Sequence, residues 1–94
     1  MVVKAYVLFK VSSGSEMEIC EKIMENDEVL EASILYGEYD IIAKVNAQDS
    51  ERIDSVIEKI QTIPSIILTS TMIIAREYRG KMKRNPDSRI RVGF

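Results

Sequence analysis

The chain contains no histidine and no tryptophan, a single cysteine, two prolines and four widely spaced glycines in 94 residues. Each shortage removes a class of chemistry. Without histidine there is no Ser-His or Cys-His nucleophile pair and no imidazole ligand for a metal. Cys20 has no partner for an internal disulfide; among Met17, Ile19, Ile23 and Met24 on a helical apolar stripe, it is expected to be a buried structural thiol. Gly14, Gly37, Gly80 and Gly93 stand too far apart for a phosphate loop or a dinucleotide fingerprint. No run approaches the roughly 18 consecutive apolar residues of a membrane helix. The N-terminus also lacks the layout of a secretory signal, so a cytoplasmic location is expected.

Catalysis would have to rest on carboxylates or lysines alone. Glu16, Glu18, Glu21 and Glu25 fall at mixed spacing along one helix, the pattern of a solvated face. Glu38 and Asp40, with Asp27 or Glu28, are the acids a hard cation would use, but no loop resembles a calcium-binding repeat. Only Tyr6 and Tyr39 are available on strands to stack with nucleotide bases. Neither a cofactor nor a metal is expected, and the chain is not expected to be an enzyme.

What is present is the balance of a globular domain: 46% apolar and 30% charged residues, in a length that supports one core. Net charge is −2, unevenly spread. Residues 1–75 hold six Lys/Arg against thirteen Asp/Glu, whereas residues 76–94 hold seven against two. The expected division is therefore a folded domain over residues 1–78 and a basic tail over 79–94. Lys81, Lys83, Arg84, Arg89 and Arg91 form no dense run and are not interleaved with aromatics, which favours a solvated tail or a subunit contact over a nucleic-acid site.

Val2 to Val11 alternates with a period of two and reads as a strand with apolar side chains on both faces. Ser12 to Ser15 breaks it, and Ser13 with Glu16 or Ser15 with Glu18 fits a capping box for a helix to about Asn26. Val29 to Tyr36 and Tyr39 to Ala47 read as a hairpin around Gly37-Glu38. Asp49 caps a second helix whose Ile53, Val56, Ile57 and Ile60 share one face. Pro64 closes that helix, and Ile66 to Glu77 is the fourth strand.

The order β-α-β-β-α-β gives an α+β, ferredoxin-like fold, with two helices on one face of a four-stranded antiparallel sheet. Its other face keeps apolar groups from among Tyr6, Leu8, Ile42, Ile67 and Ile73. A monomer would expose too large an apolar patch, so this face is expected to pair with that of a second copy in a homodimer.

Between the apolar hairpin strands lies Gly37-Glu38-Tyr39-Asp40, where a glycine turn adjoins a carboxylate. An amino acid needs an anion for its ammonium, as Asp40 supplies, and amides or hydroxyls for its carboxylate, as the turn, Thr69 and Thr71 supply. Each has a plainer reading: glycine in a tight turn, aspartate capping a backbone amide, threonine favoured in a strand.

With Asn26-Asp27-Glu28-Val29 before the turn, Ile63-Pro64-Ser65-Ile66 after the second helix and Thr69-Ser70-Thr71 in the last strand, this order resembles the effector-binding, or RAM, domain of the Lrp/AsnC regulators. The resemblance covers Val2 to Tyr78. Ser65 stands where the family usually has Gly, and Tyr36 where a small Thr is common. Because the chain opens directly on a strand, without the helix-turn-helix of family regulators, a stand-alone effector-binding domain is expected.

The resemblance implies a small-molecule and most simply an amino-acid effector, bound by Gly37, Glu38, Tyr39, Asp40, Thr69 and Thr71 where one dimer meets another. It implies dimers assembling into rings, and indirect control of transcription through a full-length Lrp/AsnC regulator. No membrane association and no sequence-specific DNA binding by this chain alone are expected. A small dimeric ferredoxin-like enzyme and a ligand-free assembly module are the competing readings.

Overall fold

The structure, a computed structural model, describes residues 2–80; the basic segment 81–94 lies outside the described residues. Six elements form in the order β1 (Val3–Val11), α1 (Glu16–Ile23), β2 (Val29–Ile34), β3 (Ile41–Ala47), α2 (Ser50–Gln61) and β4 (Ile66–Ile73). The expected ferredoxin-like topology is present. All neighbouring strands are antiparallel, in the order β2-β3-β1-β4.

The period-two pattern of the central strands determines which side becomes the core. Ala5, Val7, Phe9 and Val11 of β1 face the helices with Ile41, Ala43, Val45 and Ala47 of β3, and all eight are buried. Register puts Phe9 opposite Ile41, Val7 opposite Ala43 and Ala5 opposite Val45. From above, α2 contributes Ile53, Val56, Ile57 and Ile60, and α1 contributes Ile19 and Ile23. The apolar spacing of α2 therefore places its buried face as expected. In α1 the stripe is narrower: Cys20 is half-buried, and Met17 and Met24 are exposed.

Helix termini differ in how their backbone groups are satisfied. Asp49 accepts a hydrogen bond from the Arg52 amide at 2.8 Å and starts α2 as its sequence suggests. Neither capping box forms at α1. Ser15 occupies the N-cap position, but its hydroxyl donates backwards to the Ser12 carbonyl and caps no amide. The helix also ends at Ile23, short of Asn26, whose side-chain amide donates to the Ile23 carbonyl at 3.0 Å and so satisfies one of the terminal carbonyls.

Three strand limits are corrected. The hairpin strands stop at Ile34 and start at Ile41, leaving a six-residue connection, 35–40, in place of the two-residue turn expected. β4 ends at Ile73, because after the Ile74 amide donates to the Lys4 carbonyl the chain leaves the strand. A register shift between β1 and β4 further changes the open face. Leu68 and Met72 pair with Lys10 and Tyr6 on that side, whereas Ile73 pairs with Ala5 on the helix side. Of the expected open-face residues, Tyr6, Leu8 and Ile42 are in place, Ile67 falls at the register shift and Ile73 belongs to the other parity.

Ile60 sits fully enclosed over this sheet. Ile60→Ala should lower unfolding free energy by about 2–5 kcal/mol, through lost transfer energy and the cavity left behind, as read by urea denaturation.

Candidate functional site

The connection from Ile34 to Ile41 is a braced loop. The Leu35 amide donates to the Asp40 carbonyl at 2.8 Å, closing the hairpin, and the Asp40 amide donates to the Phe9 carbonyl at 2.9 Å. The Val11 amide donates to Asp40 Oδ2 at 2.9 Å. Asp40 thereby extends the β1-β3 ladder beyond the last paired residues, by backbone on one side and carboxylate on the other. That bond uses one of the two carboxylate oxygens.

Gly37 adopts φ +153°, and a Cβ there would meet no atom within 4 Å. The glycine is needed for its backbone conformation and not for space. Glu38 beside it is exposed, Tyr39 is half-buried, and Lys10 Nζ lies 5.7 Å from the Tyr39 ring centroid, within cation-π range.

The structure gathers Gly37, Glu38, Tyr39 and Asp40 into one turn but does not set Thr69 and Thr71 beside it. Thr69 pairs with Phe9 and Thr71 with Val7, so both side chains lie toward the helix side of edge strand β4. β1 stands between the turn and β4, which puts the backbones of Asp40 and Thr69 about 10 Å apart by strand spacing. Thr69 is half-buried and Thr71 exposed.

Asp27 and Glu28 are farther away still. β2 separates them from Glu38 and Asp40 by about 20 Å of strand, so these four acids cannot share one cation. Asp27 and Glu28 instead line a cleft of about 770 Å³, with Asn46, Asp49, Arg52 and Ser55, at the opposite end of the sheet. Glu28 pairs with Arg52 there at 2.6 Å, and the guanidinium holds its carboxyl below the usual carboxylate range. The Asn46 side-chain carbonyl is buried without a hydrogen-bond partner among the described residues. Nothing in the spacing of Asp27, Asn46 and Arg52 marks them as neighbours, because only the β2-β3 register and the start of α2 bring them together.

Burial pushes the Cys20 thiol pKa up, which disfavours the thiolate.

The open sheet face carries a feature absent from the sequence reading. Glu77, four residues beyond β4, accepts hydrogen bonds from Lys4 Nζ at 2.9 Å and Lys44 Nζ at 3.0 Å. These two ammonium groups lower its carboxyl pKa to about 2, and the same contact raises that of Lys44.

A family model for the Lrp/AsnC ligand binding domain matches residues 4–83. The chain belongs to that family. Among curated proteins it is 29% identical over 75 residues to the HTH-type transcriptional regulator FL11 of Pyrococcus abyssi, covering 80% of this chain and 50% of the relative. It thus spans about half the length of the curated relatives it matches. Among solved structures, the hypothetical protein PHS023 from Pyrococcus horikoshii is 40% identical with a TM-score of 0.73, over 86% of this chain and 98% of that one. The structure of E. coli AsnC is 30% identical with a TM-score of 0.77, over 84% of this chain and 54% of that one. As an Lrp/AsnC ligand-binding domain, the chain has regulators as relatives, in keeping with a regulatory role. No helix among the described residues is long and apolar enough to cross a membrane.

Two predictions follow from the hydrogen bonds of this domain. Asp40→Ala removes the acceptor of the Val11 amide and should cost about 1–3 kcal/mol of stability in denaturant titration, ligand or no ligand. Glu77 has a folded pKa below its ordinary value of 4.5, so its contribution to stability is complete above that pH and is lost as pH falls toward about 2. A carbon-detected NMR titration should place the Glu77 midpoint near 2, and Lys4→Met with Lys44→Met should return it toward 4.5.

Proposed function

We propose that residues 1–78 form an effector-binding regulatory domain that takes an amino acid at the Gly37-Asp40 turn, with the basic segment 79–94 as an appended tail. The observation that carries this reading is the turn itself, in a chain of the Lrp/AsnC ligand-binding family. A glycine with φ +153° sits three residues before a carboxylate that is fixed by its own backbone and by Val11, yet commits only one oxygen to that bond. A preorganised carboxylate of this kind suits an ammonium group, because its orientation is fixed before the ligand arrives.

Thr69 and Thr71 enter the same site from another copy. Within one copy β1 separates them from the turn, so a ligand held by both sets is enclosed between subunits. The domain self-associates through the open sheet face into a homodimer, and dimers join into a ring. It acts on transcription by associating with a full-length Lrp/AsnC regulator in the cytoplasm, and it performs no catalysis.

Calorimetric titration with each proteinogenic amino acid tests the ligand. Saturable binding without turnover is expected for at least one of them; silence across the whole panel would sink the ligand reading and leave an assembly module. Asp40→Asn keeps an acceptor for Val11 while removing the charge, so it should weaken binding by roughly ten- to a hundredfold with little loss of stability. Ile42 lies on the open face, opposite Leu8 and Ser33. Ile42→Glu should therefore give a folded monomer by circular dichroism and sedimentation, since an unpaired carboxylate opposes burial of that face.

A further inference from the structure

The open face is apolar at Tyr6, Leu8, Ile42, Leu68 and Met72, yet its central strands also carry lysines. Lys4 and Lys10 lie on β1, and Lys44 on β3 opposite Tyr6; the one strand-borne acid among them is Glu31, in register with Lys44. When a two-fold axis brings two such faces together, each excess of positive charge meets its own copy. Lysines on a buried face need partners, because desolvation of an unpaired ammonium opposes association.

Glu77 supplies that partner from outside the sheet. Its two carboxylate oxygens each take one lysine, Lys4 on β1 and Lys44 on β3, so one side chain bridges both central strands. The clasp is already partly withdrawn from water: the side chains of Lys4, Lys44 and Glu77 are 33%, 18% and 25% exposed. Lys44 Nζ also lies 5.6 Å from the Tyr6 ring centroid, within cation-π range on this face.

We propose that Glu77 is the residue that fits the open face for a second copy of this chain, by occupying Lys4 and Lys44 so that the face can be buried. This rests on the reading of that face as the self-association surface. The occupant follows from the charges. Two lysines engaged by the chain's own carboxylate offer no cationic pair to an anionic partner, whereas a near-neutral apolar face matches its own copy.

Sedimentation velocity of the full chain across micromolar concentrations tests this, with circular dichroism to verify folding. Glu77→Gln should weaken self-association at least about tenfold, and raising ionic strength from about 0.05 M to 0.5 M should recover part of the loss by screening the exposed lysines. Adding Lys4→Met and Lys44→Met to Glu77→Gln removes the charges together and should restore association to the wild-type level or beyond. Glu77→Gln associating as tightly as the wild type, or more tightly, overturns the proposal and makes the clasp irrelevant or inhibitory. If Glu77→Gln does not fold, the triple variant decides: a folded triple variant that associates supports the proposal, and one that stays monomeric overturns it. A wild-type chain that is monomeric throughout refutes the self-association reading itself, an outcome separate from a wild-type dimer indifferent to Glu77.

Discussion

The pairing of β1 with β3 is the constraint on which the rest of this domain depends. Residues Val3 to Phe9 lie in register with Ala47 back to Ile41, and every second pair is withdrawn beneath the helices. A slip of β1 by one residue against β3 would exchange its inward set for the other, Phe9 for Lys10, and send lysines into the core. Several features hold this register. Asp40 ties the far end through the Phe9 carbonyl and the Val11 amide. Glu77 ties Lys4 to Lys44 near the other end. The Asp40 bonds run directly between these two strands and Glu77 bridges them from outside the sheet, so the polar contacts reinforce what the apolar pattern selects.

Asp40 has this part in the architecture, and the ligand capture proposed for it is compatible with that part on physical grounds. A carboxylate that is fixed in place by the fold loses little side-chain entropy on meeting a ligand. The same economy applies to Gly37, whose positive φ shapes a turn that a side-chain-bearing residue would strain. The opposite end of the sheet is different in character. There a cleft is lined by Glu28 and Arg52, which are already committed to one another. Volume alone would direct attention to that end, whereas the fixed carboxylate and glycine geometry direct it to the turn.

Much of the fold was legible because its periods are clean. β1 alternates without interruption, and Ile53, Val56, Ile57 and Ile60 repeat at helical spacing, so the elements followed from spacing and the topology from their order with right-handed crossovers. The failures have physical causes too. Serines before α1 fit a capping box, but Ser15 found the Ser12 carbonyl instead, a local competition that spacing does not resolve. By sequence parity Ile73 belongs with the open face, because the shift at Lys10 and Val11, which changes parity along β4, leaves no mark in composition. The candidate site was legible as a turn, Gly37 to Asp40; that β1 stands between this turn and Thr69 and Thr71 within one copy depends on strand order, which the local sequence does not display. By sequence Glu77 reads as the end of a strand, since nothing local indicates that it bends back onto Lys4 and Lys44.

The central claim is that one sheet serves two masters: its helix side is the core of the domain, and its open side is closed by a second copy. The most direct measurement is solvent accessibility of the Leu8 and Ile42 methyl groups, by NMR with a soluble paramagnetic probe at micromolar to millimolar protein. Both should be protected to nearly the degree of the core methyls of Ile53, with protection falling away on dilution. Methyls of Leu8 and Ile42 that relax at every concentration like those of an exposed side chain such as Met17 would contradict it.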